Sequence, residues 1–207
     1  MDANTPKWLA WAREIQAMAQ IGLTYTQNEF DIKRYKRLTE MAAEMVANQT
    51  ELSKESVLEN FQVQPGYATP KVDVRSAVIR NGKILLVQER ADSHWSMPGG
   101  WADVGELPSA VVRREVWEES GFTVEVDRLI GIYDANHIDP LQFYHAYKLI
   151  FMCTITGGEP RPSDETLAVD FFGRDNLPPL SESRTNKSIL DEVFAHFADP
   201  GRPTFFE

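Results

Sequence analysis

One stretch of this 207-residue chain constrains it more than any other: residues 100–122, GWADVGELPSAVVRREVWEESGF. Its residues specify a helix with defined ends. Pro108 suits a first helical position, where its missing N–H would be unpaired anyway. Gly121 suits the left-handed position that closes a helix. About three turns lie between them. Glu115, Glu118 and Glu119 are spaced i, i+3, i+4 and share one face. Val112 and Val116 border that face and are expected to pack inward. Three carboxylates so placed repel. At roughly 5 Å and an effective dielectric near 20, each like-charged contact costs about 3 kcal/mol. Arg114 alone does not balance them, so a divalent cation is the expected partner. All-oxygen ligation with retained water suits Mg²⁺ or Mn²⁺. An acidic helix face is more often merely solvated, but the two glycines, the adjacent Arg-Glu pair and the long-range spacing favour a functional site.

Composition sets outer bounds. With 207 residues, a net charge of −10 and 43% hydrophobic residues, the chain has enough for one good core plus a small extra module. The acidic balance disfavours sequence-independent nucleic-acid binding, which draws on Lys and Arg. No apolar run reaches membrane-spanning length, and no export signal opens the chain. Cys153 is the sole cysteine, so neither a disulfide framework nor a cysteine metal site is expected, and a cytoplasmic location is the default reading.

The text changes character near residue 65. Before it, Trp8, Trp11, Ile15, Met18 and Ala19 recur at helical spacing, with Gly22 expected to end that helix. Residues 29–47 and 53–61 read as two more helices. Pro65-Gly66 and Pro70 mark a linker. The expected division is a helical module over 1–64, a candidate dimerisation element, and a catalytic domain over 68–207. In the latter, residues 72–79 and 83–88 flank Asn81-Gly82 as a hairpin. Residues 123–133, 146–155 and 168–172 read as further strands. A helix over residues 182–197 completes an α/β/α layering.

Gly100, Glu106, Arg114, Glu115, Glu118, Glu119 and Gly121 together resemble the signature of the Nudix hydrolases. The resemblance implies an α/β fold, the Nudix α/β/α sandwich with a mixed sheet, here with the small N-terminal helical module added. It also implies divalent-metal-dependent cleavage of a phosphoanhydride in a nucleoside diphosphate linked to another moiety. Carried over, the metal ligands are Glu115, Glu118, Glu119 and the Gly99 carbonyl. Arg114 orients Glu115, and Glu106 ties the loop to the helix. The family differs over which carboxylate accepts the proton of the attacking water. Glu119 is one candidate; Glu165, in the loop Ser163-Asp164-Glu165-Thr166, is the other and a possible further ligand.

Within the module, Ile15-Gln16-Ala17, Gly22-Leu23, Tyr25, Asn28, Phe30-Asp31 and Arg34-Tyr35 resemble the helical extension of a bacterial Nudix subgroup. That subgroup includes ADP-ribose and CDP-choline pyrophosphatases, and of the two CDP-choline is the expected substrate. Tyr133, Phe143 and Tyr144 are candidate platforms for a nucleobase, since stacking on an aromatic ring is worth about 1–3 kcal/mol. Residues 136–142 read as a loop, with His137 and His145 at its edges. Arg184 is a candidate phosphate contact, with an ordinary salt bridge as its alternative. Three other readings remain: a nucleoside triphosphate pyrophosphohydrolase, an exonuclease acting on RNA ends, and a non-catalytic nucleotide sensor. The expected partners are a nucleotide-derived small molecule and a second copy of the chain.

Overall fold

The computed structural model describes residues 6–61, 66–103, 105–138 and 145–207. It divides into two compact units, residues 1–70 and 71–207. Among its described residues the first holds three helices: α1 (Lys7–Tyr25), α2 (Glu29–Ala47) and α3 (Lys54–Phe61). Asn28 caps α2 by accepting from the Phe30 and Asp31 amides, one of the strongest N-cap choices. Gly22 does not end α1, as its residue type suggested. The helix runs three residues past it, and the Tyr35 ring of α2 occupies the space a Cβ there would need. Ala12, Ala19, Ala42 and Ala43 are fully buried in the same unit. Small residues thus let α1 and α2 approach closely.

The second unit is a mixed sheet between two helical layers. Its elements are β1 (Lys71–Arg80), β2 (Lys83–Glu89), β3 (Trp95–Ser96), α4 (Pro108–Ser120), β4 (Phe122–Asp134), α5 (Ala135–Ile138), β5 (Ala146–Gly158), β6 (Thr166–Gly173), α6 (Lys187–Ala198) and β7 (Phe205–Phe206). The sheet order is β3-β2-β1-β5-β4-β7, with β6 added on β2. β1 and β5 run parallel, whereas β1–β2, β4–β5 and β2–β6 are antiparallel. One core lies under α4, where Val111, Val112 and Val116 meet Val74, Val78, Leu85 and Cys153. The other lies under α6, where Ile189, Leu190, Val193 and Phe194 meet Ala77, Ile84, Ile130 and Ile150. Successive strand residues serve opposite cores, as the pleat requires.

Four elements of this unit differ from expectation. The last helix opens at Lys187 rather than 182, because residues 181–185 form a turn of their own and Asn186 caps Ile189 N. The segment after Asp134 begins with the short helix α5, while residues 139–144 lie outside the described residues. The two-residue strands β3 and β7 had no sequence signal of useful length.

One edge of β1 pairs with β5 along most of its length. Its other edge is shared. Ile79 and Arg80 pair with β2, while the first half is lined by residues 98–102. There Ser76 N donates to Pro98 O, Val74 N to Gly100 O and Ala102 N to Val72 O, each at 2.9 Å. This strand-like seam fixes the turn that precedes α4.

Candidate functional site: a glutamate helix against a clamped glycine turn

Helix α4 begins with Pro108 at its first turn and ends in Gly121, whose φ of 78° is left-handed. That placement puts Glu115 and Glu119 inward and Glu118 outward. Glu119 is almost fully buried, and its Oε2 accepts from Gly99 N at 2.9 Å. Glu115 lies against Gly100, where an added Cβ would sit 3.0 Å from its Oε1. The Glu118 side chain is about half exposed.

The turn itself is tightly held. Gly99 has a φ of 149°, and a Cβ there would collide with the Val74 carbonyl. Arg75 Nη1 donates to Met97 O at 3.2 Å. Ser76 donates through both N and Oγ to Pro98 O, and Val74 N donates to Gly100 O. Of these four consecutive carbonyls, only that of Gly99 has no hydrogen-bond donor among the described residues.

Arg114 organises the helix face. Its Nε and Nη2 form a two-pronged bond to Glu106 at 3.1 and 2.9 Å. Its Nη1 donates to Glu115 at 2.8 Å and to Glu118 at 3.1 Å. Glu106 foremost, then Glu118 and Glu115, hold the guanidinium firmly charged. The same contact with Arg114 lowers the Glu106 carboxyl. Burial has the opposite effect further in. It raises Glu115 despite Arg114. It raises Glu119 to about 8, with Glu89 and Glu115 adding to the rise against Arg75 and the Gly99 amide.

The donors that α4 and the turn could present to a cation are all oxygens: Glu115, Glu118, Glu119 and the Gly99 carbonyl. That set fits a hard divalent ion. Arg114 lies between Glu115 and Glu118, and Glu119 is engaged by Gly99; among the described residues no three acidic, His or Cys groups are gathered as a ligand shell. Ligation through the bonded oxygens would require Glu115 and Glu118 to exchange Arg114 for the ion, whereas Glu119 engages Gly99 N through one oxygen only.

Glu165 lies exposed in its loop. The loop is joined to α4, since Thr166 Oγ1 donates to Glu119 O at 3.0 Å. It is joined to β2 as well, because Arg90 N donates to Glu165 O. Arg184 takes the alternative foreseen for it: it pairs with Glu89 at 3.5 Å and Asp92 at 3.4 Å. Tyr133 is not an open stacking platform. Strand parity turns its ring into the α6 core, where Phe205 stacks on it at 4.9 Å between centroids. Phe143 and Tyr144 lie outside the described residues.

A charged group missed in the sequence lies beside the turn. Asp73, Arg75 and Lys148 are all buried. Asp73 accepts from Arg75 Nε at 3.1 Å and from Lys148 Nζ through its other oxygen. Glu89, also buried, accepts from Ser96 Oγ. The available signal was two charges two residues apart, Asp73 and Arg75, in the interior of a strand that also carries Val72, Val74, Ala77, Val78 and Ile79.

The NUDIX domain family matches residues 70–193, well over half the chain. The chain belongs to the Nudix family. The N-terminal helices of this Nudix protein match a second family, described as a UDP-X-like, N-terminal oligomerisation domain, over residues 6–61. A Bacillus subtilis protein named "Putative ADP-ribose pyrophosphatase YjhB" is 41% identical over 202 residues, covering 97% of each chain. Among solved structures, a UDP-X diphosphatase matches with a TM-score of 0.64 at 31% identity, covering 97% of this chain and 98% of that one. An ADP-ribose pyrophosphatase from Streptococcus suis matches with a TM-score of 0.62 at 38% identity, covering 67% of this chain and all of its own. No described helix of the Nudix protein is long and apolar enough to cross a membrane.

Proposed function

We propose that this Nudix protein hydrolyses the phosphoanhydride of a nucleoside diphosphate linked to another moiety, releasing a nucleoside monophosphate and a second phosphomonoester. The observation that carries the reading is the seating of Glu119. A buried carboxylate faces a clamped glycine turn, with Glu115 and Glu118 on the same helix face. Glu115, Glu118, Glu119 and the Gly99 carbonyl would hold Mg²⁺ or Mn²⁺. The bound ion would neutralise phosphate charge and lower the pKa of water. Glu119 would accept the water's proton, with Glu165 as the alternative base. Arg114 keeps Glu115 and Glu118 from repelling each other before the substrate arrives, and Glu106 holds Arg114 in place.

Relatives guide the choice of substrate. The names of two of them specify ADP-ribose, and a third is named a UDP-X diphosphatase. That balance moves the first substrate from CDP-choline to ADP-ribose, with UDP-linked compounds next. The helical module is proposed to join two copies of the chain.

A panel of ADP-ribose, a UDP-sugar, CDP-choline and nucleoside triphosphates, each with Mg²⁺ and Mn²⁺, tests the reading. Two phosphomonoesters from a diphosphate-linked compound are expected. Pyrophosphate release from triphosphates alone would replace it with the triphosphate route. Binding of these compounds without hydrolysis would indicate a sensor.

A further inference from the structure

We propose that Arg75 is a positioning residue of the hydrolytic site, acting through the Met97 carbonyl on the turn that presents Gly99. The inference rests on the functional reading above and adds a residue outside the signature to it. Among the described residues Arg75 makes no hydrogen bond or ion pair with α4 or the donor oxygens, although its charge bears on Glu119 and Glu115. Its guanidinium spans two groups, the Asp73 carboxylate and Met97 O. Lys148 completes the arrangement from β5, where it stands directly opposite Asp73 in register. All three charges are buried beside Ala77 and Ile150, on the α6 side of the sheet.

Stability alone is a poor reason to bury such a group. Apolar side chains of similar volume are often as good or better, because desolvating ions cancels most of their attraction. The cost is visible in Lys148, whose ammonium burial pushes down to about 8, with Arg75 adding to the fall and Asp73 opposing it. What the ions supply is a fixed direction. Met97 is clamped from both sides: its carbonyl accepts from Arg75, and its N–H donates to the fully buried Thr185 Oγ1 at 2.9 Å. Two residues on, Gly99 N meets Glu119. A rotation of the Met97–Pro98 peptide would turn Gly99 away from that carboxylate. Lysine cannot replace Arg75 here, because a point ammonium does not reproduce a planar fork serving two acceptors.

The test uses the full chain with Mn²⁺ as probe. Mn²⁺ affinity is read by electron paramagnetic resonance, beside kcat and KM for ADP-ribose. Arg75→Lys preserves the charge and removes the fork. Thr185→Val removes the second clamp without touching a charge, so it decides the matter if Arg75→Lys does not fold. Groups that orient a metal ligand typically change metal affinity by about 10- to 100-fold. A loss of that size is expected in both variants, with a fall in kcat, little change in KM, and recovery in Thr185→Ser. A merely structural role would lower thermal stability and leave the Mn²⁺ affinity of the folded fraction intact. Unchanged Mn²⁺ affinity and kcat in either folded variant would overturn the inference alone. A wild-type chain that binds no Mn²⁺ would overturn the functional reading and the inference together.

Discussion

Glu119 on α4 accepts the Gly99 amide at 2.9 Å, so the helix and the turn before it share one buried hydrogen bond. Glu119→Gln keeps an acceptor for that amide and removes the proposed base. General-base loss typically costs about 10²–10⁴ in rate. A kcat fall of that order is expected, with an unchanged circular dichroism spectrum. Steady-state kinetics at saturating Mg²⁺ that gave wild-type turnover would remove Glu119 from its role.

The same carboxyl makes the metal-free protein sensitive to pH. Glu119 sits at about 8 in the folded chain against an ordinary 4.5. The folded state therefore holds a proton that the unfolded state has released between these values. Stability from this group is complete below the lower value and lost as pH rises through the upper one. Urea unfolding in EDTA is expected to show this decline between pH 5 and 8, set against the other groups by comparison with Glu119→Gln. Metal ligation requires the carboxylate, so Mn²⁺ uptake near pH 7 should release a proton. Calorimetry in buffers of different ionisation enthalpy reads that release directly.

At Gly99 the constraint is steric. Its φ of 149° is one that side-chain-bearing residues rarely adopt, and the obstacle to a Cβ is the Val74 backbone rather than a movable side chain. Gly99→Ala is expected to destabilise residues 71–207 by about 2 kcal/mol or more. A denaturant midpoint equal to wild type would show that the turn relaxes freely.

Glu165 offers a separate test of the loop. It is exposed, yet its neighbour Thr166 is bonded to the Glu119 carbonyl. If Glu165 is the base, Glu165→Gln should remove the acidic limb of the pH–rate profile and lower kcat. An unchanged profile and unchanged Mg²⁺ dependence would leave the loop a brace for α4.

On α1, Trp11, Met18 and Tyr25 are exposed at seven-residue spacing and share a stripe set about 100° round the helix from buried Ala12 and Ala19. An apolar stripe of this kind commonly marks an interface. Light scattering is expected to report a dimer for the full chain and a monomer for the double variant Trp11→Glu, Met18→Glu. A monomeric wild type would end this assignment.

The parts of the site legible in the sequence were those whose geometry is local. Pro108, Gly121 and the i, i+3, i+4 glutamates define a helix and its face without outside help, and Arg114 reaches Glu106, Glu115 and Glu118 from within one segment. What stayed hidden depends on register. Asp73 meets Lys148 only because β1 and β5 align in parallel. Tyr133 faces inward because of its parity along β4, which its aromatic character does not reveal. Gly22 looked like a stop because glycine weakens helices, but packing against Tyr35 outweighs that penalty. The start of α6 was misplaced because the 181–185 turn is held by Thr185 and Met97, a contact spanning 88 residues.

That dependence on distant partners has a kinetic side. α1 and α2 are neighbours in the chain and close on each other through short-range contacts. The Asp73–Lys148 pair must join residues 75 apart, and the β1–β5 alignment must form with it. Contacts of long sequence separation slow folding, because loop closure precedes any compensating interaction. The glycine turn lies along β1 and takes its shape from that strand. A newly made chain can therefore hold its helical pair, and even the glutamate helix, before it holds a competent hydrolytic centre.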